Sequence, residues 1–600
     1  MEESSIVHGP EEPALWSKTL GQLIEEQATQ YGDRTALVTP WQDKRLSFRE
    51  LAESSKVLAH AMVRAGLRLG DCIAVLAGNR YEYIQVFLAG ARIGCPVLPL
   101  NNAYTPAEVL RALQRSATRF LFIASQIGPR SLAPHLKNLL SVASQATLPE
   151  LSGIICFDSD EPYTQSQIQA YASFLASGQS EAHDAGGLLR AAERIVRLSD
   201  NLSYQFTSGT SGEPKLSMLT HRGLINNARL VGDGMRLTPA DVVCCPPPLF
   251  HTFGLVLGFL NAFTHGSAIV FPSDHFHADS VIDAVIHEKA TALLGVPTMF
   301  VAELEACAAR KVDNITTVRT GLAAGSPVSE TLLSRLEVRF GVKGILIAYG
   351  MTETSPVTFM TSLDDPRDKA MTSLGRVLPH TSAKVINKDG VVVRRGESGE
   401  LCTSGYGLQR GYFENEAKTK EAMQRDADGR LWMHTGDQCY LDTEGYCHIS
   451  GRIKDVIIRG GENMFPLEIE ERLLLHPAIA EASVVGVTDP KYGEVVGCFL
   501  KLTTGHIQPQ DQELRDWVRV ELSWHKAPQH VFWIGDGGVC PDFPKTASGK
   551  HQKHIMKDIA NTCLSGSSPG KDLPFRVQVI SLFGLSVCLI PLALYFSTLA

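Results

Sequence analysis

The chain of 600 residues carries its strongest local signal at Thr207-Ser208-Gly209-Thr210-Ser211-Gly212-Glu213-Pro214-Lys215. Glycine lets backbone N–H groups turn toward an anion, hydroxyl groups add hydrogen-bond donors, and lysine adds a positive charge. The segment is not a Walker A loop, because its spacing differs and Leu216 stands where Ser or Thr would follow the lysine. We therefore predict a loop that binds a triphosphate, with a flexible polar loop between two strands as the alternative.

A second motif, Tyr349-Gly350-Met351-Thr352-Glu353-Thr354, follows the apolar run Gly344-Ile345-Leu346-Ile347-Ala348. The run predicts a strand, and ligands bind at the carboxyl ends of strands in open α/β sheets. Tyr349 can stack on a base, and Thr352 can reach a phosphate. Glu353 can bind Mg²⁺, a cation that prefers carboxylate and phosphate oxygens. A surface turn is the alternative interpretation.

The pattern around these motifs alternates helices with short β-rich runs. Residues 47–66 predict an amphipathic helix, and Ser47-Phe48-Arg49-Glu50 at its start has the form of a capping box. Residues 72–76 predict a buried strand, 81–93 the next helix and 96–100 another strand. This alternation indicates βαβ units and a largely parallel sheet.

Two changes of pattern divide the chain. Residues 125–199 are rich in Ser, Ala and Gln, and we expect loops and surface helices there, without chemistry. Beyond Gly451 the pattern becomes short strands and helices, typical of a small α+β domain. The predicted fold class is α/β, with a large N-terminal domain of mainly parallel sheets and helices (15–451) and a small α+β domain (452–560). A Ser-, Gly- and Pro-rich linker (561–574) follows.

Three further motifs place charged residues beside glycines. His434-Thr435-Gly436-Asp437 offers a carboxylate suited to ribose hydroxyls. Gly451-Arg452-Ile453-Lys454-Asp455 presents basic residues where the two predicted domains join, and Pro544-Lys545-Thr546-Ala547-Ser548-Gly549-Lys550 places a lysine near the end of the small domain. Taken alone, each of these motifs is more often a solvated turn than a site.

Composition excludes some classes of function. A formal net charge of -8 argues against a general nucleic-acid binder, because no concentrated basic surface could neutralise a phosphate backbone. Thirteen cysteines without regular spacing fit a reducing compartment. The acidic, polar start of the chain shows neither a secretory signal nor an Arg-rich transit peptide.

The last stretch of the chain, residues 577–600, contains no charged residue, and Arg576 precedes it. A helix needs roughly 20 apolar residues to cross a bilayer. We therefore predict a C-terminal membrane anchor, with the preceding domains facing the cytosol. A hydrophobic tail folded onto the protein and a mispredicted gene end are the alternatives.

Five motifs in this order, spread over about residues 15–560, resemble the adenylate-forming superfamily. That superfamily comprises acyl-CoA synthetases, adenylation domains of peptide synthetases, and beetle luciferases. The medium-chain fatty-acyl-CoA synthetase type is the most similar. This likeness rests on residues 349–359, on Ser373-Leu374-Gly375-Arg376-Val377-Leu378-Pro379-His380, and on Arg459-Gly460-Gly461-Glu462-Asn463.

The resemblance implies a role for each matching residue. Around the ATP phosphates it places Thr207, Ser208, Gly209, Thr210, Ser211, Gly212 and Lys215. Around the adenine and the acyl pocket it places Ala324, Gly325, Ser326, Tyr349 and Gly350. It implies that Thr352 contacts the α-phosphate, Glu353 holds Mg²⁺, and Asp437 and Arg452 bind the ribose.

The resemblance also implies a mobile small domain. Lys550 would be its catalytic lysine, Lys454 its hinge, and Arg459, Gly460, Gly461 and Glu462 would face coenzyme A. His251 would gate the acyl tunnel, although a histidine satisfied in the core is a close alternative. Two residues depart from the family pattern: Leu216 replaces a glycine and His551 replaces an aliphatic residue.

The implied activity is ATP-dependent ligation of a carboxylic acid to coenzyme A through an acyl-adenylate, with Mg²⁺. Fatty or related aliphatic acids are favoured as substrates. One alternative is an enzyme that loads a carrier-protein thiol, although no carrier domain is visible. Another is an inactive, membrane-tethered binding protein, which the presence of Glu353, Asp437, Arg452 and Lys550 argues against.

Overall fold

The computed structural model describes residues 3–143, 148–158, 168–179, 187–207, 214–313, 315–325, 328, 330–342, 344–546 and 550–564. The predicted site residues Ser208, Gly209, Thr210, Ser211, Gly212 and Ser326 lie outside these ranges, as does the proposed tail at 577–600. Among the described residues, no helix combines the length and apolar character needed to cross a bilayer.

Strands and helices are numbered in chain order. The strands are β1 (Ile6–His8), β2 (Thr35–Thr39), β3 (Lys44–Ser47), β4 (Cys72–Leu76), β5 (Val97–Pro99), β6 (Thr118–Ile123), β7 (Gln126–Ile127), β8 (Arg130–Ser131), β9 (Gly153–Cys156), β10 (Ile168–Ala170), β11 (Asn201–Thr207), β12 (Lys215–Thr220), β13 (Val242–Cys244), β14 (Ala268–Val270), β15 (Ala292–Gly295), β16 (Thr320–Ala324), β17 (Ile345–Gly350), β18 (Val357–Met360), β19 (Arg376–Val377), β20 (Thr381–Ile386), β21 (Gly399–Gly405), β22 (Met423–Arg425), β23 (Leu431–Leu441), β24 (Cys447–Arg452), β25 (Ile457–Arg459), β26 (Glu462–Met464), β27 (Ile479–Asp489), β28 (Gly493–Leu502) and β29 (His530–Trp533).

The α-helices are α1 (Leu20–Tyr31), α2 (Phe48–Arg64), α3 (Tyr81–Ile93), α4 (Pro106–Arg115), α5 (Ala133–Ala143), α6 (Tyr171–Ala176), α7 (Leu188–Ile195), α8 (His221–Gly234), α9 (Asn261–Thr264), α10 (Ala278–His287), α11 (Pro297–Arg310), α12 (Glu330–Phe340), α13 (Arg367–Thr372), α14 (Glu416–Ala422), α15 (Pro466–Leu474), α16 (Asp511–Glu521) and α17 (Lys553–Leu564). A π-helix spans Phe253–Leu260. Short 3₁₀ helices span Pro40–Gln42, Thr352–Thr354, Ile453–Asp455 and Trp524–Lys526.

Local sequence signals account for the first βαβ unit. The Ser47 hydroxyl accepts a hydrogen bond from the Glu50 N–H at 3.2 Å, and the Glu50 carboxylate accepts from the Ser47 N–H at 2.7 Å. This capping box starts α2 as predicted. The strand β4 and the helix α3 follow with the predicted bounds. All five residues of β4 are buried, as expected for a strand covered on both faces.

Two large sheets form the body of the chain. A seven-stranded sheet has the order β10-β9-β6-β4-β5-β11-β12 and is parallel except for the pair β11–β12. A nine-stranded sheet has the order β19-β18-β17-β16-β15-β13-β14-β2-β3, with its six middle strands parallel. The predicted α/β fold class is therefore confirmed. The expectation of loops and surface helices at 125–199 was wrong in part, because β9 and β10 extend the seven-stranded sheet by parallel pairing.

Three smaller sheets complete the described fold, the smallest being the two-stranded pair β7–β8. The other two are larger. One is antiparallel, with the order β1-β20-β21-β23-β22 and with β24 paired to β23. The other belongs to the small α+β part, with the order β26-β25-β28-β27 and with β29 paired to β28. The chain passes from the first of these sheets to the second between Arg452 and Ile457, through the 3₁₀ turn that contains Lys454. The predicted domain bounds stay predictions.

A buried acid lies in the core of the large part, on α11. Glu303 is fully buried, and neither of its carboxyl oxygens has a hydrogen-bond partner among the described residues. Burial raises the pKa of Glu303 from 4.5 to about 8. Because this pKa is higher in the folded chain than in the unfolded chain, ionisation of Glu303 destabilises the fold. The contribution of the neutral acid to the free energy of unfolding is therefore complete only below about pH 4.5. That contribution is lost as the pH rises toward 8.

We therefore expect Glu303→Gln to stabilise the protein at alkaline pH, since an amide cannot ionise. The free energy of unfolding at pH 8 should rise by a few kcal/mol, on the order of 3. The gain should shrink steadily as the pH falls toward 5, as measured by urea unfolding across this range. Glu305→Gln, at an exposed position of the same helix, should show no such trend. A stability difference independent of pH would contradict the buried-acid explanation.

Candidate active site

The second motif forms a tight corner at the carboxyl end of β17. Gly350 ends the strand, and the 3₁₀ turn Thr352–Thr354 follows. A Cβ atom at Gly350 would lie 1.8 Å from the backbone oxygen of Pro356, so only glycine fits there. The corner places Thr352 and Glu353 beyond the strand end, as predicted from the apolar run before them. Next to it, β16 ends with Ala324, which is paired in register with Ala348 and followed by Gly325.

Glu353 is held by a residue that the sequence did not single out. Its carboxylate is 6% exposed, and the Tyr412 hydroxyl donates to its Oε1 at 2.9 Å. The Gln409 N–H donates to the backbone oxygen of Glu353 at 2.8 Å. Burial and the nearby Glu353 charge raise the pKa of Tyr412, so its hydroxyl stays protonated and donates. One carboxyl oxygen of Glu353 accepts from Tyr412, and a carboxylate has further lone pairs for a cation.

The ends of the predicted phosphate loop lie beside this pair. Thr207 and Lys215 face each other across the antiparallel pair β11–β12. The Lys215 Nζ lies 5.0 Å from the centre of the Tyr412 ring. The Met218 N–H donates to the backbone oxygen of Gly411 at 3.0 Å, which ties β12 to the segment carrying Tyr412. The structure therefore brings the loop ends near Glu353, and the roles of these residues at a bound nucleotide stay predictions.

The departure at Leu216 has a structural explanation. Leu216 lies within β12, paired with Phe206, and its side chain is 5% exposed in the main hydrophobic core. Its backbone is an ordinary strand, a conformation that does not require glycine. A larger side chain at this position therefore adds apolar contact to the strand that anchors the loop.

A second cluster joins Tyr349, Asp437 and Arg452. The Tyr349 hydroxyl donates to Oδ2 of Asp437 at 2.5 Å, and the Arg452 Nε lies 2.8 Å from Oδ1. Asp437 and Arg452 are register partners on β23 and β24, which explains how residues from two motifs meet. Burial and the Asp437 charge raise the pKa of Tyr349 well above its ordinary value, so it remains a donor. Asp437 itself is 3% exposed.

Lys550 reaches this region from the small α+β part. Burial and the positive charge of Arg452 lower the pKa of Lys550, while Asp437 and Glu353 act in the opposite direction. The residue itself is exposed to solvent. The charges of Arg452, Asp437 and Glu353 therefore act on Lys550, and its catalytic role stays a prediction.

His251 precedes the fully buried π-helix Phe253–Leu260, a rare element that is often found at functional sites. Its Nδ1 accepts a hydrogen bond from the Phe253 N–H at 3.1 Å. Burial, with a smaller contribution from the positive charge of Lys550, lowers the pKa of His251 to about 4, so the ring is neutral near pH 7. The contact with Phe253 fits the core alternative, and the gating role of His251 stays a prediction.

The residues implied for coenzyme A lie apart from these clusters. Arg459 and Glu462 flank the hairpin turn Gly460-Gly461 between β25 and β26. The Arg459 guanidinium stacks over Tyr492 and Trp524, at 4.4 and 5.0 Å from the ring centres. Lys454 is exposed on the 3₁₀ turn between the two sheets. Among the described contacts, none joins this hairpin to Glu353 or Asp437.

The departure at His551 has a structural explanation. The imidazole contacts Glu481 of β27, next to the loop that carries Lys550. His551 Nε2 lies 3.3 Å from Oε2 of Glu481, and Lys545 Nζ lies 2.5 Å from the same oxygen. The His551 ring also stacks on Phe543, with ring centres 4.4 Å apart. Burial alone would raise the pKa of Glu481, but His551 and Lys545 lower it to about 2. Glu481 on β27 thus anchors both ends of the loop that carries Lys550.

We expect Glu481→Gln to loosen this loop without removing any group from the site, because a neutral amide cannot form an ion pair with Lys545 and is a weaker hydrogen-bond acceptor for His551. The adenylation rate should fall about tenfold, with little change in the KM for ATP, since the loss concerns the position of Lys550. Steady-state kinetics of pyrophosphate release would measure both constants. Glu468→Gln, which breaks the ion pair with Lys526 in the same part of the chain, is the matched control. A rise in KM alone would argue against a positioning role.

Comparison with known proteins identifies relatives of this chain. Residues 24–413 match the family model of the AMP-binding enzyme, and residues 468–550 match that of the AMP-binding enzyme C-terminal domain. The chain is 44% identical to Acyl-CoA ligase sidI of Beauveria bassiana, over 95% of this chain and 96% of that protein. It is 33% identical to the mitochondrial medium-chain acyl-CoA ligase ACSF2 of Bos taurus, over 92% and 89% of the two chains.

The fold has solved counterparts. The crystal structure of the anthranilate CoA ligase AuaEII in complex with anthranoyl-AMP matches with a TM-score of 0.79. It is 22% identical and covers 92% of this chain and 98% of its own, so it bears on the fold alone. The motifs at 207–215 and 349–354 lie within the range matched by the first family model, and the lysine motif at 544–550 ends the range matched by the second. This chain therefore belongs to the AMP-binding enzyme family, as its motifs predicted.

Proposed function

We propose that this protein is an AMP-forming acid:CoA ligase that converts a carboxylic acid into its acyl-adenylate and then into a thioester. The observation that carries the proposal is the meeting of two clusters at the end of β17. Tyr349 donates to Asp437, which also pairs with Arg452. Tyr412 donates to Glu353, and the Lys215 ammonium lies over the Tyr412 ring. The names of the relatives at 44% and 33% identity support the same activity.

In the first half-reaction, a carboxylate oxygen of the acid forms a bond to the α-phosphorus of ATP. The bond from that phosphorus to pyrophosphate breaks, and pyrophosphate leaves with the electron pair. Negative charge develops on the phosphoryl oxygens, where the Lys550 ammonium can stabilise it. Asp437 can accept hydrogen bonds from the ribose hydroxyls, while Arg452 and Tyr349 hold its carboxylate in place.

Mg²⁺ fits this site through Glu353. This buried carboxylate offers hard oxygen ligands next to the ends of the phosphate loop. When bound, the cation would neutralise phosphate charge. Tyr412 fixes the orientation of the carboxylate through the hydrogen bond to Oε1.

In the second half-reaction, the thiolate of coenzyme A attacks the acyl carbon and AMP leaves. Lys550 has no evident part in this step and would occupy the space that the thiol needs. A rotation of the small part about Lys454 would withdraw Lys550 and bring the hairpin Arg459–Glu462 toward the cleft, as in other hinge motions. The exposed positions of Lys454 and Glu462 are compatible with such a movement.

For the substrate we propose a fatty or related aliphatic acid. The residues Ala323, Ala324 and Gly325 at the end of β16 are small, and the π-helix Phe253–Leu260 is entirely apolar. Pyrophosphate release from purified protein, measured with a panel of aliphatic and aryl acids, would identify the acid. A preference for aryl acids would overturn this part of the proposal.

The activity itself is tested by two assays. Acid-dependent exchange of pyrophosphate into ATP should occur without coenzyme A, and free coenzyme A should then yield acyl-CoA. Exchange without acyl-CoA formation would favour the alternative in which a carrier-protein thiol accepts the acyl group. Absence of exchange with every acid would favour an inactive binding protein.

We also propose that residues 577–600 anchor the enzyme to a membrane with its catalytic parts in the cytosol. Each buried CH₂ contributes about 0.8 kcal/mol, and the segment contains no charged residue to oppose insertion. Full-length protein should sediment with membranes, whereas truncation after Gly570 should give a soluble enzyme of similar specific activity. If the full-length protein remains in the supernatant after high-speed centrifugation, or if truncation unfolds it, the tail packs on the protein instead.

A further inference from the structure

Three potential metal ligands meet on the antiparallel sheet behind the Asp437 cluster. Cys402 on β21 and His434 on β23 are register partners, so their side chains share one face of the sheet. Two positions before Cys402, Glu400 pairs with Gln438. The strand β23 therefore carries extra residues between His434 and Gln438, and this bulge brings Glu400 and His434 together.

The three ligand atoms lie close to the separations of a tetrahedral metal site. The Cys402 Sγ lies 3.6 Å from Nδ1 of His434, and this nitrogen lies 3.0 Å from Oε2 of Glu400. All three ligand atoms lie within 4.8 Å of one another. Tetrahedral Zn²⁺, with bonds of about 2.3 Å to sulfur and about 2.1 Å to nitrogen and oxygen, separates its ligand atoms by roughly 3.3–3.6 Å. Small side-chain movements would therefore suffice to bind the ion.

The chemistry of the three donors also selects the cation. A thiolate and an imidazole favour Zn²⁺ over the hard cations Mg²⁺ and Ca²⁺, which prefer oxygen ligands alone. A thiolate and a carboxylate together balance the charge of a divalent ion.

An ion can enter this cluster from solvent. Cys402 is fully buried, but the side chains of His434 and Glu400 are 23% and 25% exposed. A fourth ligand from water can therefore approach on the side of these two residues. Three protein ligands with one open position are an established arrangement for protein-bound zinc.

We propose that Glu400, Cys402 and His434 form a binding site for one thiophilic divalent cation such as Zn²⁺, with a water molecule as the fourth ligand. Binding displaces the thiol proton of Cys402 to solvent. The site is linked to the ribose carboxylate, because the Gly436 N–H donates to Oε1 of Glu400 at 3.2 Å and Asp437 follows directly. Gly436 has a φ of 70°, and the bulge that contains it is therefore fixed on one side by a ligand of the metal.

The test uses purified full-length protein without a histidine tag, freed of metal and titrated with Co²⁺. One equivalent should bind and give the near-ultraviolet charge-transfer absorption of a thiolate–cobalt bond, and Zn²⁺ should displace it. The melting temperature should rise with added Zn²⁺, because the ion binds the folded state. Cys402→Ser should abolish the absorption and weaken binding by at least about 100-fold, since a serine hydroxyl is a poor ligand for these ions.

Cys498→Ser is the matched control, because Cys498 is an equally buried cysteine on the strand β28 of the small part. It should bind Co²⁺ as the wild type does. If Cys402→Ser does not fold, Glu400→Gln should weaken binding at least tenfold while the thiolate absorption remains. Absence of the absorption in the wild type, or equal binding by Cys402→Ser and the wild type, would overturn the proposal. These readouts do not depend on ligase activity, so they fail or succeed separately from the proposed function.

Discussion

Lys550→Ala should slow acyl-adenylate formation by about 100- to 1,000-fold, the loss that removal of one preorganised donor to a developing oxyanion causes. Thioester formation from supplied acyl-adenylate should be largely unchanged, because Lys550 has no evident part in attack by the thiol. Pyrophosphate exchange would measure the first half-reaction, and acyl-CoA formation from synthetic acyl-adenylate would measure the second. The expected result is therefore a split between the two rates.

Lys557→Ala is a suitable control for this substitution. Lys557 belongs to the same part of the chain, but its side chain is 43% exposed and pairs with Glu494. Such exposed pairs contribute little to stability, so both half-reactions should proceed as in the wild type. Equal loss of both half-reactions in Lys550→Ala would refute a model with two conformations, since the lysine would then be needed throughout.

Glu353→Gln should have the second largest effect, through the cation. An amide oxygen is a weaker ligand than a carboxylate for a hard dication. The Mg²⁺ concentration that gives half-maximal adenylation should rise on the order of tenfold, and the rate at saturating Mg²⁺ should fall. Initial rates of pyrophosphate release over a series of Mg²⁺ concentrations would show both changes.

Two further variants locate the cause of this effect. Tyr412→Phe removes the hydrogen bond to Oε1 but leaves the carboxylate, so it should produce a smaller shift in the same direction. Glu416→Gln removes an exposed carboxylate from the start of α14 and should leave the Mg²⁺ dependence unchanged. If Glu353→Gln also leaves it unchanged, the cation is held by other groups.

Much of the fold was predictable because its signals are local. The capping box at Ser47–Glu50 and the periodicity of residues 72–93 act over a few neighbouring positions, and each element formed where its pattern indicated. The parallel arrangement followed from the alternation of strands and helices. The pattern at 125–199 was too weak to reveal β9 and β10, since their pairing depends on the neighbouring strand β6.

For the candidate site, the motifs identified most of the charged residues but not their partners. Tyr412 lies 59 positions from Glu353, and Glu481 lies 70 positions from His551. Neither partner belongs to a recognisable motif. A contact between distant segments depends on strand pairing and loop packing, which short motifs do not reveal. The burial of Glu303 was likewise invisible, since one acidic residue on an amphipathic helix is ordinary in sequence.

The sequence by itself thus determined the α/β fold class, the order of the motifs and, through them, the family. These properties reside in residue types and short spacings, which do not depend on the rest of the chain. Only the tertiary structure decided which distant groups meet. It joined Asp437 to Arg452 by strand register, brought Lys550 of the small part to the same cleft, and used a bulge to place Glu400 beside His434. The physical reason is that register, bulges and domain contacts arise from packing of the whole chain, whereas capping and periodicity arise from neighbours in sequence.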